Sequence, residues 1–136
     1  MMERNGGGSK PEFTWISLGV SGGLDESNLS AHLLAPYGST DFVCLDAGTL
    51  LAGLRVAAQQ GCFSDISVAS DPESTLEGAV LRHHIKAYLI SHCYLDHVNG
   101  LAAVSPDDSS KPVMGLPGTI DDLRDSIFNW CCWPNM

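Results

Sequence analysis

Four consecutive apolar residues, set between two groups of turn-forming residues, constrain this fold more than any other feature of the sequence. The run Phe42–Leu45 (FVCL) follows the turn-rich segment Pro36–Asp41 and stops at Asp46-Ala47-Gly48. A short, wholly apolar run bounded by turn signals is typical of a strand inside a sheet rather than at its edge. The run therefore predicts an internal strand of a layered domain.

The segments around this run predict a hairpin first and then alternating helices and strands. Two β-prone runs, 13–18 and 28–35, precede it, with Leu29, Ala31 and Leu33 on one face of the second. This order predicts an α/β or α+β layered domain. The later predicted elements are a helix from Thr49 as N-cap to about Gln60, a helix from Asp71-Pro72-Glu73, a strand over 86–91, a short segment at 112–116, and a helix from Pro117 or Thr119 to about Trp130.

The chain has the length and composition of one ordinary core. It has 136 residues, of which 44% are hydrophobic and 17% charged, which favours a packed globular domain. The polar, glycine-rich start predicts a flexible N-terminus over residues 1–12 and a folded part over 13–136. Five irregularly spaced cysteines and the absence of a long apolar run predict a reduced protein that does not cross a membrane, which we place in the cytoplasm.

The charge balance restricts the partners. Seven Lys and Arg against sixteen Asp and Glu give a formal charge of -9, so bulk electrostatics do not favour nucleic-acid binding. An anionic substrate would need local positive charge, from a metal ion or the N-terminus of a helix.

One segment carries residues suited to that requirement. After the strand predicted over 86–91 comes His92–Gly100 (HCYLDHVNG). In an extended loop alternate residues face the same side, so His92, Tyr94 and Asp96 should converge, with His97 beside them. Two imidazoles and a carboxylate suit Zn²⁺, Mn²⁺ or Fe, and such a metal converts bound water into a nucleophile. The alternative is a buried polar turn in which Asp96 caps the next helix and the histidines bond to backbone.

These residues carry a resemblance to a known family. Ser91–Leu101 (SHCYLDHVNGL) resembles the His-x-His-x-Asp-His signature of the metallo-β-lactamase fold, with Tyr94 at the position of the second His. Further segments make the chain similar to the class II 3′,5′-cyclic-nucleotide phosphodiesterases. The resemblance implies the N-terminal half of an αββα sandwich, with 13–136 as a partial domain. Those further segments are 18–28 (LGVSGGLDESN), 45–51 (LDAGTLL), 88–101, and 105–135.

The resemblance also implies roles for individual residues. His92 would bind one metal, and Asp96 with His97 a second, so that Asp96 is both a metal ligand and the candidate catalytic carboxylate. Asp46 would orient a metal-binding side chain without itself contacting the metal. The implied cofactor is Zn²⁺, with Mn²⁺ or Mg²⁺ as alternatives, and the implied partner is cyclic AMP or cyclic GMP, hydrolysed at its 3′ phosphoester to the 5′ nucleotide.

Two departures from the family pattern predict an impaired, truncated enzyme. A phenol such as that of Tyr94 is a poor metal ligand near neutral pH. The family also takes two His and a bridging Asp from downstream of the signature, whereas all five histidines here lie at or before it, at 32, 83, 84, 92 and 97. The alternative is a non-catalytic remnant of the fold with at most a binding or interaction role. Under either interpretation, exposed apolar surface favours self-association. Another metallo-β-lactamase-fold hydrolase, acting on RNA ends or thioesters, fits the segments after Ser105 less well.

Overall fold

A five-stranded sheet with helices forms the part of the chain that the structure, a computed structural model, describes: residues 9–68 and 74–135. Two short helices, Leu76–Ala79 and Pro117–Asp122, each continue as a five-residue π-helical turn, at 80–84 and 123–127. The strands are β1 Phe13–Gly19, β2 Ala31–Pro36, β3 Phe42–Leu45, β4 Ile85–Leu89 and β5 Val113–Met114. The helices are α1 Leu51–Gln59, α2 Leu76–Ala79, α3 Leu95–Val104 and α4 Pro117–Asp122.

The order of the strands across the sheet is the same as their order along the chain. β1, β2 and β3 are antiparallel neighbours, whereas β4 and β5 run parallel to β3. A turn containing Gly38, with φ of 81°, joins β2 to β3. Parallel neighbours need a crossover, and helices supply it: α1 and α2 lie between β3 and β4, and α3 lies between β4 and β5. The FVCL run is thus confirmed as an internal strand, and the fold as α/β.

The core lies on one face of the sheet. Alternate residues of the strands are buried there together with α1 residues such as Leu54 and α3 residues such as Leu101. On the opposite face Trp15, Leu89 and Met114 are exposed. Self-association through exposed apolar surface stays a prediction. The strand residues of this core are Ile16, Leu18, Ala31, Leu33, Ala35, Phe42, Cys44, Ile85 and Tyr88.

Some local predictions are wrong. Thr49 does not cap α1, because its hydroxyl accepts from Leu29 N (2.8 Å) and donates to Glu26 O (2.7 Å), and the cap position falls on Leu50. The last helical segment ends at Ile127 rather than near Trp130. The predicted helix start at 71–73 and residues 1–8 of the predicted flexible segment lie outside the described residues. No described helix is long and apolar enough to cross a membrane.

A buried polar cluster fixes the segment between α3 and β5. Lys111 Nζ lies 2.7 Å from Asp108 Oδ1, and their side chains are only 5% and 6% exposed. The hydroxyl of Tyr88 donates to Asp108 Oδ2 at 2.6 Å, and burial, followed by this hydrogen bond, raises the tyrosine pKa. These buried contacts therefore hold the segment around Asp108 in place.

Two glycines let the turn after β3 lie directly on α3. Ala47 N donates to His97 O at 2.8 Å, and Leu101 N donates to Ala47 O at 3.1 Å. A Cβ at Gly48 would lie 2.1 Å from Asp96 O, and a Cβ at Gly100 would lie 2.7 Å from Ala47 O. Any side chain there would push the turn and the helix apart, so these glycines place the start of α3 against the end of β3.

Gly48→Ala should lower the free energy of unfolding by about 2 kcal/mol or more, because the added methyl group overlaps the backbone of α3. Urea denaturation measures this. Gly118→Ala is the control, since a Cβ there meets nothing within 4 Å, and it should change stability by less than about 1 kcal/mol. Equal midpoints for Gly48→Ala and the unmodified chain would contradict the close contact.

Candidate active site

Asp46, at the end of β3, makes the hydrogen bonds that hold the parts of the site together. Its φ of 53° is a left-handed conformation that few residues other than glycine adopt, and its N–H donates to Leu89 O at 2.9 Å, joining the ends of β3 and β4. Its Oδ1 accepts from Ser91 N at 2.8 Å, and its Oδ2 lies 2.8 Å from His97 Nδ1. The carboxylate therefore connects the turn after β3, the loop after β4 and the first turn of α3.

His97 and Asp96 lie side by side in the first turn of α3. His97 Nε2 is 3.5 Å from Asp96 Oδ2, and the two side chains are 19% and 22% exposed. Asp96 Oδ2 also accepts from Gly23 N at 3.2 Å, in the glycine-rich loop between β1 and β2. With Nδ1 of His97 donating to Asp46, Nε2 presents a lone pair toward a carboxylate oxygen. A proton on Nε2 or a cation shared by the two atoms would relieve that repulsion.

The donor set fits part of a metal centre. Two ligands about 2.0–2.2 Å from one tetrahedral Zn²⁺ lie about 3.3–3.6 Å apart, which matches the 3.5 Å between His97 Nε2 and Asp96 Oδ2. Asp46, holding the other nitrogen of His97, is the partner that such a ligand usually has. Within residues 9–68 and 74–135, however, no group of three or more His, Cys, Asp or Glu could hold a metal ion. The described residues alone do not complete a metal centre.

His92 and Tyr94 lie beside this pair. The ring of His92 is 4.1 Å from that of His97 and 4.8 Å from that of Tyr94, measured between centroids. Tyr94 is 73% exposed. The extended spacing predicted for positions 92, 94 and 96 is wrong at its last member, because α3 begins at Leu95 and Asp96 is already helical.

The five predicted site residues are thus brought together, although by a loop followed by a helix. Asp96 does not cap α3, since its side chain accepts from Gly23, and His92 bonds to a side chain, that of Ser91. The alternative of a capped polar turn is therefore wrong in its details. The roles of Asp46, His92, Tyr94, Asp96 and His97 stay predictions.

Cysteine side chains near the site are held as thiols. Burial first, and then the Asp46 carboxylate, raise the pKa of Cys44, whose Sγ donates to Asp46 O at 3.0 Å. Burial followed by Asp122 raises the pKa of Cys93, whose Sγ donates to Thr119 O at 3.0 Å. Both sulfurs thus donate to backbone carbonyls, and neither belongs to a group of three potential metal ligands within residues 9–68 and 74–135.

Sequence reasoning missed two contributors. Ser91 bonds to both Asp46 and His92, and Gly23 bonds to Asp96. Ser91 is the last residue of the strand predicted over 86–91 and directly precedes His92, which is a signal that was available. Gly23 gave no comparable signal, because its contact with Asp96 spans 73 positions of sequence.

Comparisons with known proteins agree on one family. The family model described as "cAMP phosphodiesterases class-II" matches residues 13–136. A 3′,5′-cyclic-nucleotide phosphodiesterase of Aliivibrio fischeri is 46% identical over 123 residues, covering 90% of this chain and 37% of that protein. A probable 3′,5′-cyclic-nucleotide phosphodiesterase of Yersinia pestis is 41% identical, covering 93% of this chain and 37% of that protein. The chain spans little more than a third of the length of these relatives.

Solved structures share the fold. The crystal structure of unliganded yeast PDE1 matches with a TM-score of 0.77 at 24% identity, over 91% of this chain and 47% of that one. A metallo-β-lactamase fold protein of Bacillus subtilis matches with a TM-score of 0.52 at 15% identity, over 85% of this chain and 41% of that one. Together with the family model, these likenesses confirm the expected fold. The chain belongs to the class II cyclic AMP phosphodiesterase family.

Proposed function

We propose that this chain is a cyclic-nucleotide phosphodiesterase polypeptide with an impaired hydrolytic site. Its reaction would add water across the 3′ phosphoester of cyclic AMP or cyclic GMP: the bond from phosphorus to O3′ breaks, O3′ takes a proton, and the 5′ nucleotide leaves. Family membership supports the reaction class. The observation that carries the proposal is the His97–Asp96 pair, placed 3.5 Å apart and anchored through Asp46.

Charge supports a cation at this pair. A chain of formal charge -9 repels a cyclic phosphate unless positive charge is supplied locally. A divalent cation would supply that charge and lower the pKa of bound water, and the imidazole of His97 favours Zn²⁺ over Mn²⁺ or Mg²⁺. Asp46 would hold His97 in place for this, and Gly23 N–H would hold Asp96.

Tyr94 supports the impairment. Its phenol occupies the position at which the family signature carries a ligand His, and its ring lies edge-on to His92, 4.8 Å away, largely in solvent. The described residues supply two adjacent donor atoms, where a tetrahedral Zn²⁺ in a catalytic site takes three protein ligands. That residues 13–136 are part of a larger αββα sandwich, and that the protein acts in the cytoplasm, stay predictions.

A non-catalytic role is the second candidate. The observation that favours it is that no three potential ligands come together within the described part of the chain. Such a chain would bind a cyclic nucleotide or another partner without turnover. Metal content and hydrolysis, measured on one preparation, separate the two candidates.

With added Zn²⁺ or Mn²⁺ the purified chain should hydrolyse cyclic AMP slowly, with kcat/KM at least about 100-fold below that of the Aliivibrio fischeri relative, because its ligand set is incomplete. His97→Ala should remove both the bound metal and the residual turnover. His83→Ala is the matched control, an exposed histidine on another part of the fold. Equilibrium dialysis with elemental analysis and a product assay supply the two readouts.

Two results would contradict this account in different ways. No bound metal together with no turnover would overturn the enzyme proposal and favour the non-catalytic role. Turnover equal to that of the relative would overturn the impairment.

Tyr94→His should raise turnover by no more than about tenfold, because one added imidazole does not supply the ligands that the family takes from downstream. The exposed position of Tyr94 makes the substitution compatible with folding. Tyr37→His, at another exposed tyrosine, is the control for an added surface imidazole. Steady-state kinetics with cyclic AMP measure the change, and turnover by Tyr94→His at the level of the relative would show that the assumed ligand set is wrong.

A further inference from the structure

The hydroxyl of Ser91 lies between a carboxylate and an imidazole. Ser91 Oγ is 2.9 Å from both oxygens of Asp46 and 2.9 Å from His92 Nδ1. Its backbone N–H adds a bond of 2.8 Å to Asp46 Oδ1. Within residues 9–68 and 74–135, the contact with Ser91 Oγ is the one hydrogen bond that the His92 ring makes.

The number of protons available decides the direction of each bond. A carboxylate only accepts, so the single proton of the Ser91 hydroxyl goes to Asp46. The oxygen of Ser91 then accepts, and its partner His92 Nδ1 must carry the proton of that bond. On the other side of Asp46, His97 Nδ1 donates in the same way at 2.8 Å. The bonds run from both imidazoles inward to one carboxylate.

We propose that Ser91 is a positioning residue that holds His92 in the tautomer protonated at Nδ1, so that the lone pair on Nε2 is left free. Asp46 sets the same tautomer in His97 by direct contact, whereas it reaches His92 through Ser91. Two rings whose centroids are 4.1 Å apart thus carry free Nε2 lone pairs in the same part of the site.

This arrangement suits a bound cation, and to that extent the inference rests on the proposed function. A neutral imidazole accepts a metal or a proton only at its unprotonated nitrogen. In the opposite tautomer the free lone pair of His92 would face Ser91 instead. The role of Ser91 is therefore to select which nitrogen is available, without itself touching a substrate.

The tautomers can be read from the ¹⁵N chemical shifts of the imidazole nitrogens, in protein without metal or substrate, at alkaline pH. The unmodified chain should show His92 and His97 both protonated at Nδ1. Ser91→Ala should shift the His92 tautomer ratio toward the Nε2–H form by roughly fivefold, as expected for one lost hydrogen bond, and leave His97 unchanged.

Two further variants separate positioning from a general effect on the fold. Ser91→Thr retains the hydroxyl and should restore the His92 tautomer. Ser17→Ala is the matched control, because Ser17 Oγ lies 3.3 Å from Nδ1 of a different histidine, His32, on the sheet. It should leave His92 unchanged.

A His92 protonated at Nε2 in the unmodified chain would overturn the inference whether or not Ser91→Ala folds. An unchanged His92 ratio in a folded Ser91→Ala variant would overturn it too. Because neither measurement involves turnover, failure of the hydrolysis assays would contradict the proposed function and leave this inference standing.

Discussion

The contact between two stretches of backbone, the turn after β3 and the start of α3, is the constraint on which the rest of the structure depends. Ala47 bonds to α3 through both its N–H and its C=O, and Gly48 and Gly100 leave no Cβ at the contact. The helix that carries Asp96 and His97 is therefore placed by main-chain geometry. Such a contact has little room for adjustment, since protein interiors are close-packed.

Asp46 converts that backbone contact into an electrostatic arrangement. It accepts a strained left-handed backbone conformation, and its carboxylate then reaches Ser91 on one side and His97 on the other. The network binds the ends of β3 and β4 to the first turn of α3 and leaves the outward nitrogen of His97 beside Asp96. In a strongly acidic chain, these oriented imidazoles are where we propose that a cation binds.

Features that depend on local sequence pattern could be predicted from the sequence. The FVCL run became β3 with its predicted bounds, and β1 and the short strand β5 fell within or close to their predicted segments. His97 also lies beside His92, as expected. Features that depend on distant partners were missed. Thr49 bonds to the loop before β2 instead of capping α1. The side chain of Asp108 is buried because it accepts a hydrogen bond from Tyr88 and pairs with Lys111.

The central claim is that His97 and Asp96, held through Asp46, form one side of a cation site, and it is tested most directly by crystals of this chain grown with Zn²⁺. An anomalous-difference map at the zinc absorption edge locates the ion without assumptions about ligands. The account predicts an anomalous peak within about 2.2 Å of both His97 Nε2 and Asp96 Oδ2, with Asp46 bonded to His97 and not to the ion. Zinc bound directly by Asp46, or bound only at sites away from His97, would contradict it.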